Sequence, residues 1–184
     1  VEIDGVDLRS VKFDSLRRTL SIVLQEPYLF SGTIEYNLKF GRPQATDEEM
    51  IQAAKIVGVH ESIMKLEDGY DSVILERGTN LSFGQRQLVC LGRAILADPR
   101  ILVFDEATSS VDPYTEALIQ NALKEEMVNR TVLLVTHRVS TVRDADRIII
   151  LNEGRIEDVG SHDELIERNE LYRMLCEMQL VSIS

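Results

Sequence analysis

Apolar residues along this chain come in short blocks whose period changes from one region to the next. Val1–Ile3 and Val6–Leu8 flank Asp4-Gly5, a tight-turn dipeptide, so the pattern predicts an opening hairpin. Asp14 begins a short helix that ends near Leu20, and Ser21-Ile22-Val23-Leu24 is a strand that delivers Gln25 at its end. From Pro27 to Pro99 the pattern turns helical. Thr46 with Glu49 spells a capping box before a helix that reaches about Val57, and Gly58 ends it. A further helix covers roughly Val59–Leu66. Ser82 with Gln85 spells a second capping box, and Leu88, Leu91 and Ile95 then recur at helical spacing until Asp98-Pro99 stops them.

Beyond Pro99 strands alternate with helices. Ile101–Phe104 is apolar on both faces, the pattern of a central parallel strand. Asp112 caps a helix with Pro113 at its first position. Thr131–Thr136 reads as the next buried strand and Arg147–Leu151 as another, after which Asn152-Glu153-Gly154 turns the chain into Arg155–Val159. Ser161 with Glu164 caps a closing helix, and a second runs from Glu170 to Gln179. The order predicts an α/β fold with a mostly parallel sheet and a helical insertion between Gln25 and Ile101. The expected divisions are a core portion over 1–25, a helical subdomain over 26–99, the returning core over 100–160 and terminal helices over 161–184.

Composition narrows the classes. The 184 residues are 44% hydrophobic, enough for a real core, and carry a formal net charge of -11. That balance argues against nucleic acid or anionic lipid as a broad surface partner, though one phosphate pocket needs only local donors. Cys90 and Cys176 form no framework, and Cys90 shares a helix face with Leu88, Leu91 and Ile95, so it reads as a small apolar side chain in a reducing setting. No apolar run approaches the ~20 residues that span a bilayer. The opening Val-Glu-Ile-Asp-Gly reads as mid-domain.

Several residues point to chemistry. Asp105 and Glu106 close an apolar strand at the edge where open α/β sheets place ligands, and adjacent strand residues face opposite sides. By themselves they could equally be a solvated pair opening a loop. Ser82 starts a helix, whose N–H groups and positive dipole end favour phosphate, and Gly84 permits close backbone approach. Ser82 capping its own helix explains the same residue. Gln25 and His137 each follow a strand, and alone each is an ordinary polar end residue.

Taken together, Leu81-Ser82-Phe83-Gly84-Gln85, Ile101–Glu106 and Ala107–Asp112 resemble the signature, Walker B and D-loop motifs of ABC-type ATPases. Phe83 stands where the family often has glycine. Gln25, Ser82, Glu106, Asp112 and His137 fall in the family's order over nearly the whole chain. The resemblance implies a P-loop NTPase-like fold and assigns ATP and Mg²⁺ as cofactors. Asp105 and Gln25 would serve the metal, Asp105 through water. Glu106 would orient and deprotonate the attacking water, and His137 would hydrogen-bond the terminal phosphate. Ser82, Gly84, Gln85 and Asp112 would act on nucleotide across a head-to-tail dimer with a second such domain.

Pro27–Ile34, Glu76–Asn80 and the ending Gly160–Gln179 resemble exporter-type nucleotide-binding domains of half-transporters. The resemblance implies a transmembrane domain docked near the exposed Tyr28-Leu29-Phe30 and a place on the cytoplasmic face of a membrane, while the acidic balance argues for no nucleic acid partner. A Gly-x-x-x-x-Gly-Lys-[Ser/Thr] loop occurs nowhere in the sequence. The resemblance therefore implies a domain truncated at its N-terminus, marginally stable and inactive alone, and family topology places its missing strand between those at Thr131–Thr136 and Arg147–Leu151. Two other readings remain at this point: a non-catalytic partner that only donates its Leu81–Gln85 face, and a non-transport ABC ATPase working on DNA.

Overall fold

Asp4 and Gly5 both take positive φ, 49° and 76°, which is the backbone a two-residue hairpin turn requires. They join β1 (Glu2–Ile3) to the antiparallel β2 (Val6–Asp7). The computed structural model describes residues 1–105, 111–127 and 130–181, which divide into two compact units at Val135/Thr136.

In the first unit, α1 (Phe13–Thr19) leads into β3 (Leu20–Val23), which pairs in parallel with β6 (Ile101–Asp105). On the far side of β6 lies β7 (Thr131–Val135), also parallel, so the strand order is β3-β6-β7. The register lines Val23 up with Phe104 and Leu134, and Ser21 with Leu102 and Val132. Leu102 and Phe104 are buried with Val23 in a core completed by Leu88, Leu91, Ile95 and Ile119.

Helices dominate the insertion. They are α2 (Ile34–Lys39), α3 (Asp47–Ile56), the single turn α4 (His60–Ile63) and α5 (Phe83–Leu96). After the sheet strand β6 comes α6 (Pro113–Met127). Both predicted capping boxes in this unit close reciprocally: Thr46 with Glu49, and Ser82 with Gln85. α5 is the hub, packing against α2, α3, α6 and β3. The insertion also holds a two-stranded ribbon, β4 (Gly32–Thr33) with β5 (Val73–Ile74), and helix α2, neither of which the apolar periodicity announces. A two-residue strand and a six-residue helix are too short to show a period.

The second unit is built on the hairpin of β8 (Ile148–Asn152) and β9 (Arg155–Gly160). The short α7 (Val139–Val142) precedes it, and α8 (His162–Arg168) and α9 (Glu170–Val181) follow. Ile148, Ile150, Leu165, Tyr172 and Cys176 form its core, and Ser161 closes a third capping box with Glu164.

Two expectations need correction. The helix predicted over Val59–Leu66 is only one turn, because Met64 onward folds into tight turns around Gly69. β7 is not buried: Leu133 and Val135 are half exposed. Among the described residues it is an edge strand with one covered face, so alternate side chains meet solvent. Across the same face, Val103 of the central strand is only partly covered, and Ile22 opposite it is half exposed.

This asymmetry predicts unequal costs. Leu102→Ala should destabilise by ~2–5 kcal/mol, whereas Leu133→Ala should cost less than ~1 kcal/mol, as read by urea unfolding. A second prediction concerns acid. The Thr46 N–H, followed by Arg42, holds the Glu49 carboxyl below its ordinary value, and the Ser161 N–H does the same for Glu164. A carboxylate depressed on folding contributes stability above its unfolded value and loses it as pH falls through the folded one. Stability should therefore be steady from pH 7 down to the ordinary glutamate range at about pH 4.3 and decline as pH drops further, through the depressed folded values. Thermal melts of Glu49→Gln should show a shallower acid decline.

Candidate functional site

Parallel strands deliver their C-terminal ends to one sheet edge, and that is where Gln25 and Asp105 sit. Asp105 is the last residue of β6, and Gln25 lies two residues beyond the end of the neighbouring β3. Both are exposed. A carboxylate and an amide oxygen are hard-oxygen donors of the kind Mg²⁺ accepts while keeping several waters. Glu106, with the Ala107–Ser110 part of the expected D-loop, lies outside the described residues.

The start of α5 is the second part of the site. The Gln85 N–H donates to Ser82 Oγ at 3.1 Å, and the Ser82 N–H donates to Gln85 Oε1 at 2.9 Å. Capping thus uses the serine oxygen as an acceptor and leaves its O–H as a donor, so capping and phosphate contact are compatible. The Phe83 and Gly84 N–H groups belong to the first turn, which has no intrahelical partner. Gln85, in contrast, spends its carbonyl on the cap. Arg86 braces the preceding loop by donating to the carbonyls of Leu81 (2.7 Å) and Gly78 (3.3 Å).

Asp112 is brought to the same place by a contact that the sequence hides. Its Oδ1 accepts from the N–H groups of Tyr114 and Thr115, both at 3.1 Å, and its Oδ2 accepts from the Thr115 hydroxyl at 2.7 Å. Thr115, first through its hydroxyl and then its N–H, holds the Asp112 carboxyl below the usual range. Thr115 in turn fills the space over Gly84. A Cβ added to Gly84 would meet Thr115 Oγ1 at 2.8 Å and Cγ2 at 3.1 Å. Gly84 is therefore demanded by packing against α6, a reason additional to close ligand approach.

From Leu24 into α2, two α5 side chains grip the chain. Gln87, fully buried, donates to the Leu24 carbonyl at 3.3 Å. Arg93 donates to the Tyr28 carbonyl (3.0 Å) and to the carbonyl and Oδ1 of Asn37 (both 2.8 Å). Buried Asn37 answers by donating to the Phe30 carbonyl and accepting from the Phe30 N–H, both at 2.8 Å. Tyr28 is left half exposed, but Leu29 is fully buried, so the expected exposed Tyr-Leu-Phe surface is interrupted by a core residue. Spacing gives no sign of these long-range side chain–backbone bonds. The clue was composition: Gln87 and Arg93 are polar residues on a helix that is otherwise largely buried.

His137 belongs to the second unit, two residues past the end of β7 in sequence, and is exposed. Its carbonyl accepts from Gln179 Nε2 at 2.6 Å.

Comparison with known proteins follows this geometry. A family model described as ABC transporter matches residues 1–109. YknV, an uncharacterized ABC transporter ATP-binding protein of Bacillus subtilis (strain 168), is 48% identical over 179 residues, covering 97% of this chain and 30% of that protein. The ABC transporter ATM1 of Toxoplasma gondii is 46% identical over 180 residues, covering 97% of this chain and 16% of that protein. Among solved structures, a bacterial Atm1-family ABC exporter with ATP bound aligns with a TM-score of 0.90 at 40% identity, covering 97% of this chain and 31% of that one. The chain thus spans less than a third of the length of these relatives.

The Gly84–Thr115 contact predicts a compensating pair. Gly84→Ala should destabilise by ~1–3 kcal/mol through overpacking, since Thr115 is anchored by Asp112 and cannot swing aside. Thr115→Ala would leave only its Cβ, at 3.4 Å from the new methyl group. A double-mutant cycle in denaturant should therefore return a favourable coupling of about 1 kcal/mol or more, and additive losses would show the contact absent.

Proposed function

This chain belongs to the ABC transporter family, and we propose that it supplies the water-activating and signature parts of an ATP-hydrolysing domain that drives export across a membrane. The observation that carries this reading lies within the first unit. An exposed carboxylate, Asp105, closes a central parallel strand at the edge that carries Gln25, and the same unit presents a capped helix start at Ser82. Charge in phosphoryl transfer spreads over phosphate oxygens, so catalysis is mostly positioning and electrostatic stabilisation.

Within that reading each residue has a distinct task. Asp105 and Gln25 hold water around Mg²⁺, which when bound offsets phosphate charge. Glu106 takes the proton of the attacking water, and His137 donates to the terminal phosphate. Ser82 and the first N–H groups of α5 meet a nucleotide held by the facing domain, in a head-to-tail pair. Asp112 sets the start of α6 beside them and Gln85 sets the cap. Tyr28, with the half-exposed Tyr36 and Phe40, offers aromatic surface to a transmembrane domain in an assembly at the cytoplasmic face. The solved relative, a bacterial Atm1-family ABC exporter with ATP bound, supports the cofactor and the transport role.

These 184 residues contain no phosphate-gripping Gly-x-x-x-x-Gly-Lys loop, so Glu106 has no positioned phosphate to act upon when they stand alone. The polypeptide by itself should show no ATP turnover above its own Glu106→Gln variant. Joined to a segment that carries such a loop and to its membrane domain, it should turn over ATP. In that full-length protein Glu106→Gln should lower kcat by ~10²–10⁴-fold, the usual worth of a positioned base. Phosphate release by the full-length pair measures it, and equal rates would remove Glu106 from the mechanism.

A further inference from the structure

α9 carries a buried stripe that ends in a polar residue. Tyr172 and Cys176, both within the core of the second unit, lie four residues apart, and Gln179 follows three residues later on the same helical face. A stripe of this kind normally continues with an apolar side chain. Here the amide reaches the chain on both sides of Arg138. Gln179 Nε2 donates to the His137 carbonyl at 2.6 Å, and Gln179 Oε1 accepts from the Val139 N–H at 2.8 Å.

The second bond has a clear origin. Val139 is the first residue of α7, whose N-cap, Arg138, provides no side-chain cap, so its N–H needs a partner from elsewhere. One primary amide, with its donor and acceptor side by side, satisfies both backbone groups as a neighbouring strand would. The helix bearing it is itself held firmly. Tyr172 is 3% exposed, its hydroxyl lies 2.8 Å from His162 Nδ1, and Val139 and Val142 of α7 pack against the same core. The Thr136 hydroxyl oxygen accepts from the Arg138 N–H at 2.9 Å and tightens the turn further.

We propose that Gln179 is a positioning residue for His137: α9 fixes the backbone that aims the imidazole. The proposal rests on the reading of His137 as the residue that meets the terminal phosphate. Gln179 touches neither nucleotide nor water in this scheme. Its contribution is to remove backbone freedom just after the histidine, at the His137 carbonyl and the Val139 N–H, so that its ring need not be ordered at the moment of reaction.

The test uses the full-length protein in membranes or detergent, with phosphate release at varied ATP. Gln179→Leu keeps the size and loses both bonds; kcat should fall at least about tenfold while the KM for ATP stays within about twofold. Gln179→Glu keeps the acceptor for Val139 but sets a carboxylate oxygen against the His137 carbonyl, and should lose kcat at pH 8 at least as severely. Met174→Ala, on the same helix and half exposed, should leave kcat near the parent value whatever it does to the melting temperature. The proposal is overturned if Gln179→Leu or Gln179→Glu keeps kcat within twofold, or if Met174→Ala costs as much as either. A parent protein without turnover, or one whose turnover survives His137→Ala, overturns the underlying role of His137 instead. The two failures are therefore told apart.

Discussion

Parallel pairing of β3, β6 and β7 sends three strand ends to one edge of the sheet, and the placement of the first unit's chemistry follows from that geometry. Antiparallel neighbours would have put Gln25 and Asp105 at opposite edges. Because the pairing is parallel, an amide and a carboxylate emerge together without any sequence proximity between them. The register is specified by burial. Sliding β6 by one residue would turn Leu102 and Phe104 out of the core and Val103 into it.

α5 ties this edge to the helix start at Ser82. Its N-terminus presents Ser82, its flank holds the chain around Gln25 through Gln87 and Arg93, and its Gly84 admits Thr115 and with it the Asp112 cap. Of these, Arg93 is the most constrained. Burial presses its guanidinium toward the neutral form, and three protein carbonyl groups together with the rings of Phe30 and Phe40 answer that cost. A lysine offers a point charge, whereas these acceptors and rings suit a planar fork.

Much of this was legible in the chain itself, and the reason is locality. Capping boxes at Thr46, Ser82 and Ser161 are written within four residues, and so is the Asp4-Gly5 turn. The strand ending at Asp105 announced itself by unbroken apolarity, and the helix after Asp112 by Pro113 at its first position. What escaped was set by partners far away along the chain. Leu29 looked like part of an exposed aromatic patch, yet its fate depended on a core assembled from α2 and α5. Thr131–Thr136 looked buried on both faces because periodicity reports how apolar a strand is, not how many layers cover it. Gln179 gave only the faint signal of a polar residue ending an apolar stripe.

The uncovered face of the sheet has a practical meaning. Register sets Ile22, Val103 and Leu133 in a line across three strands, with Leu24 and Val135 beyond them, and four of these five aliphatic side chains are half exposed. β7 adds an outer row of backbone amides that pair with no strand among the described residues. Greasy side chains beside open backbone make adhesive matter, which invites a stranger's strand to zip on. Concentrated stocks of these 184 residues by themselves would turn cloudy long before their helices melt.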